Sequence, residues 1–223
     1  VKISSFTMPR RVVHLLSINE LFMYMLIAWD QSIVECYEQY ALPLDSTLAI
    51  AEELGISHPR YPRTSVPMIR TIDFLCVSRD GSLSGFSVKE ESALEGYREI
   101  EKLAIEEAYC LLNNIKHELV TSSELKDEKC QNLERLYRHA LLNDENDPAY
   151  LSWFKVFSSE LRVSTTNSVA EILSSVSIKA GVTVNKSASY FYLSIWNGKV
   201  DLDWSVPLRL ELPAGDIGVS IND

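Results

Sequence analysis

Basic residues, cysteines and long apolar runs are all scarce in this chain of 223 residues. Against 31 Asp and Glu stand only 21 Lys and Arg, a net charge of -10. Phosphate binding is dominated by basic side chains, so this balance excludes a protein that coats nucleic acid by charge alone. If the chain acts on DNA, a partner or a metal has to help hold it there. Cys36, Cys76, Cys110 and Cys130 are widely separated and form no C-x-x-C pair, which points to neither a zinc site nor a disulfide framework. They read as reduced, structural thiols of a cytosolic protein. The apolar run Leu21 to Trp29 is far too short to span a bilayer, nothing resembles a signal peptide, and the run reads as a buried helix.

What is present is ordinary for a folded protein: 46% apolar and 23% charged residues, with enough chain for one large domain or two small ones. The most informative stretch is Thr71–Ser78, Arg79–Ser82 and Leu83–Lys89. β-Branched and aromatic residues fill both runs, and Asp80-Gly81 sits between them where a positive φ is needed, so the stretch predicts a β-hairpin. Side chains alternate along a strand, which puts Ser87 and Lys89 on one face. Asp73 joins them if the register keeps it there. A carboxylate, a second oxygen ligand and a lysine are what a divalent-metal phosphodiesterase requires. An Asp on one strand with an x-Lys pair on the next is the core spacing of restriction-endonuclease-like nucleases. Taken alone, the same two residues are more often a solvated cross-strand ion pair.

The N-terminal Val1–Arg11 is polar, with two basic residues before the first element, and is either a DNA-touching arm or a loose end. A helix is predicted from Ser17 to Trp29, with Ser17 as N-cap and Glu20 three residues on, so that a capping box accounts for Glu20. A strand follows at Ile33–Tyr40, and a helix at Ser46–Leu54 that stops at Gly55. His58–Pro67 holds three prolines and reads as a surface loop. Beyond Lys89, a long helix from Glu90 to about Asn114 carries Leu94, Tyr97, Ile100, Leu103, Ala104, Ala108 and Leu111 at helical spacing. His117–Thr121 reads as a short strand. The alternation indicates an α/β domain over residues 1–122.

From Ser123 to the C-terminus helices follow in series: Leu125–His139, Tyr150–Leu161, Thr165–Ser174 and Lys186–Asn197. The last two resemble a helix-turn-helix around Gly181, with Lys199–Trp204 and Pro207–Leu212 as the strands of a wing. The expected architecture is therefore an α/β restriction-endonuclease-like N-terminal domain and a mainly α winged-helix C-terminal domain over residues 123–223. The segment Lys186–Asn197 has one lysine and no arginine, whereas base reading uses Arg or Lys on guanine and Asn or Gln on adenine. Partner binding is the stronger reading for this half.

In order along the chain, Arg11–Glu20, Tyr37–Pro43, Ile50–Pro59, Thr71–Leu75, Val88-Lys89 and Lys102–Tyr109 resemble the TnsA family. More thinly, so do Thr121–Leu125 and Gln131–Tyr137. These are the endonuclease subunits of heteromeric bacterial cut-and-paste transposases. The resemblance implies a restriction-endonuclease-like domain followed by a winged-helix-containing one. It puts the family's catalytic glutamate on Glu20, its aspartate on Asp73 and its lysine on Lys89, with Glu106 as an accessory glutamate. It further implies Mg²⁺, with Mn²⁺ able to substitute, and a bacterial cytoplasmic setting.

Family members carry Gln, or Glu in related nucleases, two residues before the lysine, and this chain has Ser87. Serine offers the metal only a short neutral hydroxyl. The main-chain carbonyl of Val88 needs no particular side chain and could still ligate. The expectation is an active enzyme of weakened metal affinity that nicks the 5′ ends of a transposon while a TnsB-type recombinase cuts and joins the 3′ ends. Affinity for transposon-end DNA would come from that recombinase and a TnsC-type ATPase regulator. Two alternatives stand beside this: a free-standing restriction-type nuclease, and a catalytically silent adaptor that recruits the transposase or its regulator.

Overall fold

A computed structural model of the chain describes residues 1–7, 11–163 and 165–222. Two compact units, Val1–Lys126 and Asp127–Asp223, divide it. In the first unit two short strands, β1 (Lys2–Ser4) and β2 (Val12–His14), pair antiparallel. The N-terminal stretch is thus a small hairpin rather than a loose end, and the side chain of Arg11 is held by the Cys36 carbonyl and the Glu38 carboxylate. Met8–Arg10, which include one of the two basic residues of the expected DNA-touching arm, lie outside the described residues.

Helix α1 (Ile18–Trp29) opens at Ser17, whose hydroxyl accepts the Glu20 N–H. Strand β3 (Ile33–Ala41), helix α2 (Leu44–Glu53), strands β4 (Thr71–Ser78) and β5 (Leu83–Lys89), helix α3 (Tyr97–Leu112) and strand β6 (Ile115–Thr121) follow. The chain leaves β5 through a 3₁₀ turn at Glu91–Glu95, so the long helix starts at Tyr97 and not at Glu90. The β4–β5 turn has Gly81 at φ +85°, while the Asp80 carboxylate accepts both the N–H and the hydroxyl of Ser82.

The sheet order is β3-β4-β5-β6. The first three strands are antiparallel and β6 is parallel to β5, a connection that needs a long crossover, here α3. Helices α2 and α3 bring Ile50, Ala51, Ile105, Tyr109 and Cys110 against Leu42, Ile72, Leu75 and Ile115 to form the core. α1 packs on β3 and β5, with its Tyr24 ring against Phe74. All four cysteines are buried free thiols, and Cys36 faces Cys76 across β3 and β4. A short helix, α4 (Ser122–Leu125), closes the unit with a capping box between Thr121 and Glu124. The boundary between the units accordingly falls after α4 and not before it.

In the second unit α5 (Glu128–Leu142), α6 (Pro148–Leu161), α7 (Val169–Ala180) and α8 (Val184–Trp196) are followed by a two-residue ribbon, β7 (Val200–Asp201) with β8 (Ser220–Ile221). The core is aromatic: Trp153 stacks on Phe157 at 4.9 Å between centroids and Tyr150 meets Tyr190 edge-on at 5.3 Å. The polar atoms of this cluster are satisfied internally, since the Trp153 indole N–H donates to Ser187 (2.8 Å), which donates onward to the Leu173 carbonyl. α7 starts at a Ser168/Glu171 capping box and ends at Gly181 with φ +69°, and α8 begins three residues later.

The expected wing differs. Pro207–Leu212 does not pair with the strand after α8. Its Leu210 and Leu212 carbonyls accept the N–H groups of Ala170 and Val169, donors that the first turn of α7 leaves without intrahelical partners. β7 pairs instead with Ser220–Ile221. No helix among the described residues is long and apolar enough to cross a membrane.

Trp153 is the largest fully buried side chain, so Trp153→Ala is expected to destabilise the chain by about 3–5 kcal/mol. Urea unfolding followed by circular dichroism would measure it, and a loss under ~1 kcal/mol would contradict the cluster's central place in the second unit.

Candidate active site at the splayed end of the sheet

The site grows out of a failure of strand pairing. β4 and β5 stay in register only as far as Phe74↔Phe86, yet β4 continues to Thr71 beside β3 and β5 continues to Lys89 beside β6. The central strands part, and their polar groups on that edge need other partners. Asp73 supplies one: its Oδ2 accepts the Val88 N–H at 2.7 Å and Lys89 Nζ at 3.2 Å. An extended residue turns its N–H and C=O to the same edge, so the Val88 carbonyl faces the side of β5 on which Asp73 lies.

Glu20 reaches the same place from the first turn of α1. It is 6% exposed, and Oε2 accepts the Leu16 N–H at 3.0 Å. Its pKa is raised, first because burial penalises the charge and further because the Asp73 carboxylate lies near; hydrogen bonds from Leu16, Ser17 and Gln39 oppose the rise. The helix cap and the site thus share one residue. The residue before Glu20 is clamped to the residue after Lys89, with Asn19 Nδ2 donating to Glu90 Oε1 at 2.7 Å.

Gln39 links the two carboxylates and was not singled out by the sequence. Its Nε2 donates to Asp73 Oδ1 at 3.1 Å and to Glu20 Oε2 at 3.3 Å, while its Oε1 accepts the Thr71 hydroxyl at 3.3 Å. It sits within β3 at φ +49°, a left-handed conformation that costs a non-glycine residue about 1–3 kcal/mol. The one available signal is its place in Tyr37–Pro43, a stretch that carries the family resemblance.

The remaining expected residues are turned elsewhere. Ser87 is fully buried, and its hydroxyl donates to Glu106 Oε2 at 2.7 Å and meets His117 Nε2 at 3.0 Å. Glu106 is buried on α3 and forms an ion pair with Arg70. Burial holds the His117 pKa low despite the nearby carboxylates of Glu106 and Glu107. The structure therefore brings Glu20, Asp73, Val88 and Lys89 together, and gathers Ser87 and Glu106 into a separate chain with Arg70 and His117.

The donor set of the first group suits a hard divalent cation. Two carboxylates share a single neutral amide, and one of them already feels the other's charge as a cost. A cation among these oxygens would relieve it. No group of three or more His, Cys, Asp or Glu side chains converges among the described residues, so oxygens of other kinds would have to complete any metal's coordination.

A mixed α/β sheet with acidic groups and a lysine at its splayed end fits a restriction-endonuclease-like fold. Residues 30–122 match the family model described as TnsA-like endonuclease N terminal. The chain is also 28% identical over 190 residues to Transposon Tn7 transposition protein TnsA of Escherichia coli, a match that covers 84% of this chain and 68% of that protein. Both matches support a TnsA-family protein, and the segment that matches the TnsA-like endonuclease domain lies within the first unit. Asp73, Ser87, Val88, Lys89 and Glu106 fall inside the matched segment and Glu20 precedes it.

Because the Glu20 pKa is raised chiefly by burial, its ionised form destabilises the metal-free fold. The penalty is full above the raised folded pKa and fades as pH falls through it toward the unfolded value. Glu20→Gln is expected to raise the metal-free Tm at pH 7, with the gain shrinking as pH is lowered. Thermal melts of both proteins in chelator across pH 4–8 would check this, and a lower Tm for the variant at pH 7 would contradict it.

Proposed function

We propose that this chain is the metal-dependent endonuclease subunit of a cut-and-paste transposase, and that it nicks the 5′ ends of the transposon. The observation that carries the reading is the convergence of Glu20, Asp73 and Lys89 on the parted strands of a TnsA-like endonuclease domain. Glu20 and Asp73, with the Val88 carbonyl, would hold Mg²⁺, or Mn²⁺ in its place. When bound, the ion supplies Lewis-acid polarisation of the scissile phosphate and a more acidic water. Lys89 keeps its ammonium beside Asp73, where it would orient the attacking water and stabilise negative charge growing on the phosphate oxygens. Asp73 fixes that ammonium and, through the Val88 N–H, the strand that carries it. Ser87 takes no direct part, because its hydroxyl is committed to Glu106 and His117; the pair Ser87 and Glu106 supports β5 from α3.

The C-terminal half, expected over residues 123–223 and found as the unit Asp127–Asp223, is read as a winged-helix-type module for partner contacts before DNA contacts. Seven of the 13 residues of α8 are buried in its own core. Lys186, the basic residue of that helix, donates to Asn143 and lies over the Tyr190 ring, which leaves it poorly placed to read a base. A TnsB-type recombinase, joined by a TnsC-type ATPase, would hold the transposon end for a nuclease subunit of net charge -10. The printed name of the Escherichia coli relative, a Tn7 transposition protein, supports that setting.

The test is strand-specific cleavage in the assembled transposition complex with Mg²⁺. Asp73→Ala and Lys89→Ala are each expected to slow 5′-strand cleavage by about 10²–10⁴-fold while 3′ cleavage persists. Unchanged 5′ cleavage in both variants would sink the site assignment. Cutting of plasmid DNA by the wild-type chain without partners would favour the free-standing nuclease, and normal 3′ cleavage with no 5′ cleavage by wild type would favour the silent adaptor.

A further inference from the structure

Gln39 occupies an unusual position. It adopts a left-handed backbone inside a strand, and Glu38↔Phe74 and Tyr40↔Ile72 pair on either side of it. That backbone aims its carboxamide at Glu20 and Asp73 together. Ser87, the residue two before Lys89, has no hydroxyl to spare for the site, because Glu106 and His117 use it. The position two before Lys89 therefore gives the two carboxylates no neutral side-chain oxygen, and the amide of Gln39 points its NH₂ group toward them.

An amide has one face of each kind. Rotation about its terminal torsion, a soft sp³–sp² bond, exchanges the NH₂ and the oxygen with little change of shape. The partner on its other side is a hydroxyl, Thr71 Oγ1, at 3.3 Å. A hydroxyl donates to an amide oxygen and accepts from an amide N–H equally well, so Thr71 supports both orientations. With no cation present, the NH₂ group belongs inward, where it offsets two adjacent negative charges. With a divalent cation among those carboxylates, the same NH₂ would face positive charge, and the rotated amide would present a hard neutral oxygen instead.

We propose that Gln39 is a side-chain metal ligand of this site, and that its carboxamide turns from NH₂-inward to oxygen-inward when a divalent cation binds. It would fill the place that Ser87 cannot. The inference rests on the metal-dependent reading of Glu20 and Asp73 given above. It also gives the strained backbone a use: the left-handed turn carries the amide to a place that a regular strand residue would not reach.

The test is Mn²⁺ binding to the full chain without DNA, measured by isothermal titration calorimetry, beside the metal-free Tm of each protein. Gln39→Gly removes the amide and suits φ +49°, so the variant is expected to stay folded. Its Mn²⁺ affinity is expected to fall roughly 10–100-fold. Gln39→Asn tolerates the same backbone but is one methylene shorter, and is expected to lose affinity similarly. Gln39→Glu, which keeps an oxygen at full reach, is expected to bind Mn²⁺ at least as tightly as wild type. Wild-type affinity or better in Gln39→Gly or Gln39→Asn would overturn the proposal and leave the amide as a metal-free clasp. Asp73→Ala should bind no Mn²⁺ at the site. If it binds like wild type, or if wild type binds none, the metal reading itself falls, and this inference with it.

Discussion

The hydrogen bond from the Val88 N–H to the Asp73 carboxylate is the contact on which the rest of the site depends. Where β4 and β5 separate, a backbone donor loses its ladder partner, and a buried N–H cannot be left without one. The Asp73 side chain meets that need, which fixes the carboxylate on the edge between the two strands. The same oxygen then receives Lys89, whose position one residue further along β5 follows from that anchoring. Gln39, next to Asp73 in space, and Glu20, through Gln39, attach to the other oxygen. A structural obligation of the sheet thus assembles the polar cluster.

Behind it lies a second polar chain of a different character. Arg70, Glu106, Ser87 and His117 join β4's approach, α3, β5 and β6 through buried or half-buried groups. Breaking a buried pair by removing one partner is costly, since the other charge remains without compensation. That makes Glu106 a supporting residue for β5 whether or not it ever approaches a metal. It also accounts for a serine at position 87: a short hydroxyl can donate to Glu106 and meet the imidazole of His117 with no exposure.

Much of this was legible in the sequence, for identifiable reasons. The β4–β5 hairpin, the Ser17 cap of α1 and the Gly181 stop of α7 are local events, written in turn and cap residues whose conformational demands are strong. The juxtaposition of Asp73 and Lys89 was legible only on the condition that the register kept Asp73 on that face, and the structure makes it where the two strands part. Three things were not legible. The parallel pairing of β5 with β6 is a long-range contact across α3. The segment Pro207–Leu212 looked like a wing strand because its composition is right, but the first turn of α7 competes for its carbonyls. Gln39 was missed because its role rests on a left-handed φ, which glycine would have announced and glutamine does not.

The charge balance ties the site to the proposed function. A chain of net charge -10 with two carboxylates at its proposed reaction centre repels a polyanion, and Lys89 is already engaged by Asp73. The same field attracts a divalent cation. Under the proposed reading Glu20 and Asp73 would hold a divalent cation whose charge offsets theirs, which would let a phosphate be accommodated beside Asp73. The partners that hold the DNA would supply the affinity that the nuclease lacks, so cleavage would be confined to ends already captured. Under the same reading, an acidic subunit that depended on its partners for DNA would be kept from cutting elsewhere, which would reconcile the net charge of -10 with a nuclease role.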